Sequence, residues 1–97
     1  MNSVDFAKAL GDETRQKIMA LCCCQRLSVS EIVAQLGVSQ PTVSHHLKVL
    51  LETGLVKREK HGKQVFYTLV QEKLARGCCA VAEQFAPEVD LKSVARG

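Results

Sequence analysis

Five cysteines in two runs, Cys22-Cys23-Cys24 and Cys78-Cys79, are the residues of this 97-residue chain whose type and spacing point most directly to chemistry. Clustered thiolates bind soft, thiophilic ions and leave calcium and magnesium to oxygen donors. Adjacent or facing thiols also oxidise to disulfide or persulfide-bridged forms, so redox sensing is the alternative chemistry. The spacing is not the Cys-x-x-Cys of zinc ribbons or thioredoxin-like enzymes. No apolar run approaches a membrane span, and the N-terminus has no charged segment followed by an apolar stretch. The chain is therefore expected in the cytoplasm, away from membranes, where a reducing environment argues against a disulfide framework.

Helix geometry limits how these thiols combine. Three consecutive helical residues spread over ~200° of the surface, so Cys22, Cys23 and Cys24 cannot all face one ion unless the helix end unwinds. Asp12 caps this helix, Cys22 shares its inward face with Ile18 and Leu21, and Cys22 reads as a small buried hydrophobe. Cys23 and Cys24 fall at or past the helix end and are freer to bind. A last helix, Gln71 to Ala86, carries two adjoining stripes, Leu74, Cys78, Val81 and Phe85 on one and Ala75, Cys79, Ala82 and Ala86 on the other. Gly77 precedes its cysteines at a cost of up to ~1 kcal/mol of helix stability, which a close approach of another helix would justify. If this helix packs beside the second helix, its own or a partner's, the candidate ligands are Cys22, Cys23, Cys24, Cys78 and Cys79.

A second set of residues suited to chemistry occupies positions 28 to 69. Ser28-Val29-Ser30-Glu31 has the form of a capping box ahead of a helix with Ile32, Val33 and Leu36 inward. Gly37 suits a left-handed turn, Ser39 caps the next helix, and Pro41 sits in its first turn, where no amide donor is missed. Val43, Leu47, Leu50 and Leu51 share the buried face of that helix, so Thr42, His45 and Val49 point away, with Ser44 and Lys48 on the flank. Gly54 closes it. Leu55 to Lys60, a His61-Gly62 turn and Lys63 to Leu69 then form a hairpin in which Val65, Tyr67 and Leu69 alternate with Phe66 and Thr68. The order helix, turn, helix, basic hairpin is that of a winged helix-turn-helix. Gln40, Thr42, Ser44 and His45 would read base edges in the major groove, Arg58, Lys60 and Lys63 would lie on phosphate or in the minor groove, and Lys48 completes the DNA-binding set.

Charge is concentrated where this reading needs it. Between Gln40 and Gln64 five cations face Glu52 and Glu59, an excess equal to the net +3 of the whole chain. The remainder is neutral, so the excess marks a phosphate footprint better than a general solubility charge. With 46% hydrophobic residues, the chain has room for one domain, 1–97, with a limited core. Ser3 caps a first helix bearing Phe6, Ala7 and Leu10, and this end (1–24) and the last helix (71–86) read as dimerisation and sensing elements. The tail after Pro87 is expected to fray. An enzyme, for instance a small thiol oxidoreductase, is the distant alternative. The chain offers it no nucleophile-base constellation, no phosphate loop and little room for a cleft.

The sequence resembles the ArsR/SmtB family of bacterial metal- and metalloid-responsive repressors from about Phe6 to about Phe85. The resemblance is carried by Ala9-Leu10-Gly11-Asp12-Glu13-Thr14-Arg15, by the run from Leu36 to Leu50 that includes Ser39-Gln40-Pro41-Thr42-Val43-Ser44-His45-His46, and by Gly54-Leu55-Val56. It implies a mainly α fold with a small β-hairpin and a homodimer built by the first and last helices. Two recognition helices would then meet half-sites of double-stranded operator DNA about one turn apart. Arsenic-responsive relatives carry Cys-x-Cys where this chain has Ser28 and Ser30, and zinc-binding relatives use histidines on the last helix, whereas no histidine follows His61 here. The family relocates its sensing site between members. The resemblance thus implies that the cysteines form such a relocated site, with arsenite as the first inducer and antimonite, cadmium, lead or zinc as alternatives. In related sulfide and redox sensors the first cysteine sits slightly earlier, near Ala20.

Overall fold

Short polar side chains satisfy free amides at five helix starts, and these caps divide the chain. The computed structural model describes residues 2–96. Among them run α1 (Ser3–Leu10), α2 (Glu13–Cys22), α3 (Val29–Leu36), α4 (Gln40–Glu52), β1 (Val56–His61), β2 (Gln64–Leu69), α5 (Gln71–Phe85) and α6 (Leu91–Arg96). Asp12 accepts from the Arg15 amide, and Ser39 from that of Thr42. Ser28 and Glu31 close both halves of the expected capping box. The α1 cap lies one residue earlier than expected: Asn2 accepts from the Asp5 amide at 2.8 Å, and Ser3 is already helical. Gly37 ends α3 at φ 70°, a left-handed conformation that glycine adopts without a Cβ clash.

α2, α3 and α4 surround one core. Ile18, Ile32, Val43, Leu47 and Leu50 are essentially inaccessible, and Leu55 at the entrance to the hairpin joins them. Met19 and Ala9 are also buried, whereas Ala7 is exposed. Val49 departs from the expected outward face. It packs half-buried against the core and lines a cleft with Asp5, Lys8 and Ala9, because the first helix covers that side of α4.

β1 and β2 pair antiparallel from Val56↔Leu69 to His61↔Gln64. The connection is therefore Gly62-Lys63, one residue later than the expected His61-Gly62. Gly62, at φ 64°, takes the left-handed first position of a two-residue turn, which displaces Lys63 from the strand to its tip. Leu27 exchanges two backbone hydrogen bonds with Tyr67, of 3.1 and 2.8 Å. That bridge fixes the hairpin to the α2–α3 connection.

α5 lies against α1 through a gap at Gly77. A Cβ there would fall 2.3 Å from the Phe6 ring, so the close approach expected of this glycine is made by Phe6. Leu74 and Val81 rest half-buried on the core, and no residue of α5 is fully buried. Val4 and Phe85 stand 59% and 77% exposed on the outer side of this helix pair. Beyond Pro87 the chain forms α6 rather than fraying: Asp90 accepts from the Lys92 amide and the Ser93 hydroxyl.

Candidate nucleic-acid interface and thiol sites

Burial of Val43, Leu47 and Leu50 leaves Gln40, Thr42, Ser44, His45 and Lys48 exposed along the free side of α4. This is the amide, hydroxyl and imidazole set suited to base edges. Thr42 also shares a 2.8 Å hydrogen bond with the Ser39 hydroxyl, so part of its bonding capacity belongs to the cap. His46 turns the other way, its side chain only 12% exposed, toward Asp12 and Arg15 of α2.

The wing presents Arg58, Lys60 and Lys63 to solvent. Among the described residues no carboxylate lies within ion-pair distance of these three or of Lys48. Lys57 differs: it pairs with Glu59 at 3.1 Å, and with His61 it holds the Glu59 carboxyl below its usual range. Arg26, which sequence reasoning missed, lies over the Phe66 ring at 4.9 Å and meets His61 Nε2 at 3.0 Å. Nothing local in Gln25-Arg26-Leu27 signals this contact, because it depends on the Leu27–Tyr67 bridge bringing the hairpin alongside.

Helix and wing should separate in a binding assay. Lys60→Ala or Lys63→Ala is expected to weaken operator and random DNA alike, with the logarithmic salt slope shallower by roughly one unit per lost phosphate contact. Gln40→Ala or His45→Ala should cost about 1 to 3 kcal/mol on operator and much less on random DNA. Titrations at several salt concentrations on both DNAs check this, and unchanged slopes for the lysine variants would remove them from the phosphate contacts.

Cys22 is 1% exposed, and burial, with the neighbouring Cys23, pushes its thiol up to about 11. It behaves as core. Cys23 caps the end of α2 half-buried and Cys24 is exposed, with their sulfurs 3.1 Å apart. The hydrogen bond to Cys24, then burial, raises the Cys23 thiol above its ordinary value. Cys78 and Cys79 are exposed on α5. Cys23 opens on a hollow with Leu10, Met19 and Leu74, while Cys78 opens on another with Phe6, Leu10 and Val81. The two runs thus flank Leu10, and Gln71 at the start of α5 donates to the Cys23 carbonyl at 2.8 Å. Among the described residues no three His, Cys, Asp or Glu side chains are grouped to hold an ion.

Comparison with known proteins agrees with this architecture. The pattern described as "Bacterial regulatory protein, arsR family" matches residues 12–58. A biofilm growth-associated repressor of Agrobacterium fabrum is 38% identical over 85 residues, covering 87% of this chain and 73% of the relative. An arsenical resistance operon repressor of Staphylococcus xylosus is 37% identical over 67 residues, or 69% of this chain and 64% of that one. Among solved structures, an ArsR-like transcriptional regulator from Rhodococcus sp. RHA1 superposes with a TM-score of 0.81 at 28% identity, covering 95% of this chain and 84% of the other. The chain belongs to the ArsR/SmtB family of transcriptional repressors: it is a DNA-binding winged helix-turn-helix regulator and not an enzyme.

Proposed function

We propose that the protein is a homodimeric repressor that occupies double-stranded operator DNA and releases it when its cysteines bind a trivalent metalloid, with arsenite as the inducer. The observation that carries this reading is the Cys23–Cys24 pair, two sulfurs 3.1 Å apart with Cys23 half-buried and Cys24 exposed, placed just before Arg26 and the wing it contacts. Two of the three thiolates of a pyramidal site are thereby side by side. Cys22 is a poor third because it is buried and protonated, so the third comes from Cys78 or Cys79 of the same or a second copy. The exposed apolar edge of α1 and α5, with Val4 and Phe85, is the surface that a second copy would cover.

The chemistry distinguishes the inducers. Arsenous acid exchanges three hydroxides for three thiolates, the thiol protons leave in water, and the solution gains no acid. Antimonite behaves alike. Cadmium, lead or zinc instead displaces protons from the thiols into solution. A polysulfide oxidises thiols and adds sulfur mass. The raised Cys23 thiol leaves less thiolate at neutral pH, which slows spontaneous oxidation of the pair.

Operator release should therefore be titrated with arsenite, antimonite, zinc, cadmium and a polysulfide in weak buffer, with proton release and intact mass read at each endpoint. Release by arsenite with the mass of one arsenic and no proton release is expected. Release only by divalent ions with acidification, or only by polysulfide with added sulfur, would overturn arsenite in favour of a metal or redox sensor.

A further inference from the structure

One guanidinium joins the end of the first helix to the middle of the recognition helix. Arg15 donates from Nε to the Ala9 carbonyl at 2.8 Å and from Nη2 to the Lys8 carbonyl at 2.9 Å, both in the last turn of α1, where the Lys8 carbonyl also accepts from the Gly11 amide at 3.2 Å. Its remaining nitrogen, Nη1, lies 3.0 Å from His46 Nδ1. His46 is beside His45 on α4, with ring centroids 5.4 Å apart, so whatever fixes His46 also orients the exposed base-reading edge.

An arginine has donors only, so His46 Nδ1 must accept. The ring proton then sits on Nε2, which faces Asp12 Oδ1 at 3.8 Å. The hydrogen bond from the Arg15 amide, followed by charge interactions with His46 and Arg15, holds the Asp12 carboxyl below its usual range. The neutral ring is thus held by a hydrogen bond on the Arg15 side, with Asp12 beyond hydrogen-bond reach on the other. A second proton would place N–H against N–H and positive charge against positive charge on the Arg15 side, while Asp12 attracts the protonated ring.

We propose that Arg15 and His46 are positioning residues which set the pose of the recognition helix against the first helix, and that this latch opens when His46 is protonated. The groups that face His46 are Asp12 and Arg15 from α2 and His45 from α4, and α1 acts through the carbonyls that Arg15 holds. Burial lowers the affinity of His46 for its second proton, followed by the opposing pull of Asp12 and the push of Arg15 and His45. The latch is accordingly closed at neutral pH and opens in acid. The same depression makes the folded state bind fewer protons than the unfolded one. Its stabilisation is complete above the ordinary histidine range and is lost as pH falls through the lowered value.

The test uses the full-length protein and measures operator affinity, random-DNA affinity and thermal midpoint from neutral pH into mild acid. His46→Leu removes the acceptor and should weaken operator binding about ten-fold at neutral pH, with little change on random DNA. Arg15→Lys, which keeps charge but not the fork, should do the same. His46→Asn offers Oδ1 where Nδ1 stood, cannot take the proton, and should rescue operator binding while abolishing its fall in acid. A general gain of positive charge on the DNA-facing surface has the opposite sign, since it strengthens contact with phosphate. Overturning results are parent-like operator affinity in folded His46→Leu and Arg15→Lys, or an unchanged acid-dependent fall in His46→Asn.

Discussion

Replacing Cys23 and Cys24 together by Ser is expected to raise the arsenite concentration for half-release on the order of a hundred-fold or more, because each added thiolate of a preformed pair binds as an intramolecular partner. Operator affinity without arsenite should stay near the parent's. Neither side chain belongs to the core, Cys23 being half-buried and Cys24 exposed, so two hydroxyls are accommodated. Cys22→Ser is the contrasting control. It places a hydroxyl where only 1% of the residue is exposed and should cost about 1 to 3 kcal/mol of stability without a specific effect on release. A companion variant, Cys78→Ser with Cys79→Ser, locates the third ligand. If that variant loses release, the ligand gathers the end of α2 against α5, pulling on the Gln71–Cys23 hydrogen bond and on the connection that carries Arg26 to the wing. The ligand achieves this only by binding the released conformation more tightly than the DNA-bound one. Release of DNA by Cys23→Ser, Cys24→Ser protein at the parent's arsenite concentration would sink the assignment.

What was legible in the sequence was local. Ser28 with Glu31, Ser39 with Pro41, and Gly37 each act within a few residues of chain, and the caps and the turn stand as expected. Periodicity also identified Ile18, Ile32, Val43, Leu47 and Leu50 as core, since burial on a helix repeats with the helix. Most of the misses have a non-local origin. Val49 lies on the outer side of α4 by periodicity, yet a distant segment, α1, covers it. Arg26 meets His61 across 35 positions, and Arg15 meets His46 across 31. No spacing rule relates such pairs. At the wing tip, His61-Gly62 and Gly62-Lys63 are both acceptable turns, and the register was decided by the pairing of Val56 with Leu69 at the far end of the ladder. The Asp90 cap ahead of α6 was a local signal overlooked because Pro87 suggested an end.

Gly77→Ala should destabilise the fold, although alanine is the better helix former by about 1 kcal/mol. The new methyl would sit 2.3 Å from Phe6 Cε1 and 2.6 Å from Cδ1 and Cζ, well inside contact distance. Phe6 is 3% exposed and cannot swing into solvent without opening the core. Overpacking of this kind costs about 1 to 3 kcal/mol, occasionally more, and a methyl blocked by a fixed ring belongs at the upper end. The gain in propensity leaves a net loss of roughly 1 to 2 kcal/mol, which in a chain of this length lowers the thermal midpoint by about 4 to 8 °C for each kcal/mol. Phe6→Leu supplies the check. Alone it leaves a void beside Gly77, but combined with Gly77→Ala the methyl enters the space the ring vacated. The two losses should therefore be markedly less than additive. If Gly77→Ala melts at or above the parent's temperature, the Phe6 ring is not seated over Gly77. The α1–α5 packing that carries Cys78 beside Phe6 and Leu10 would then need a different arrangement.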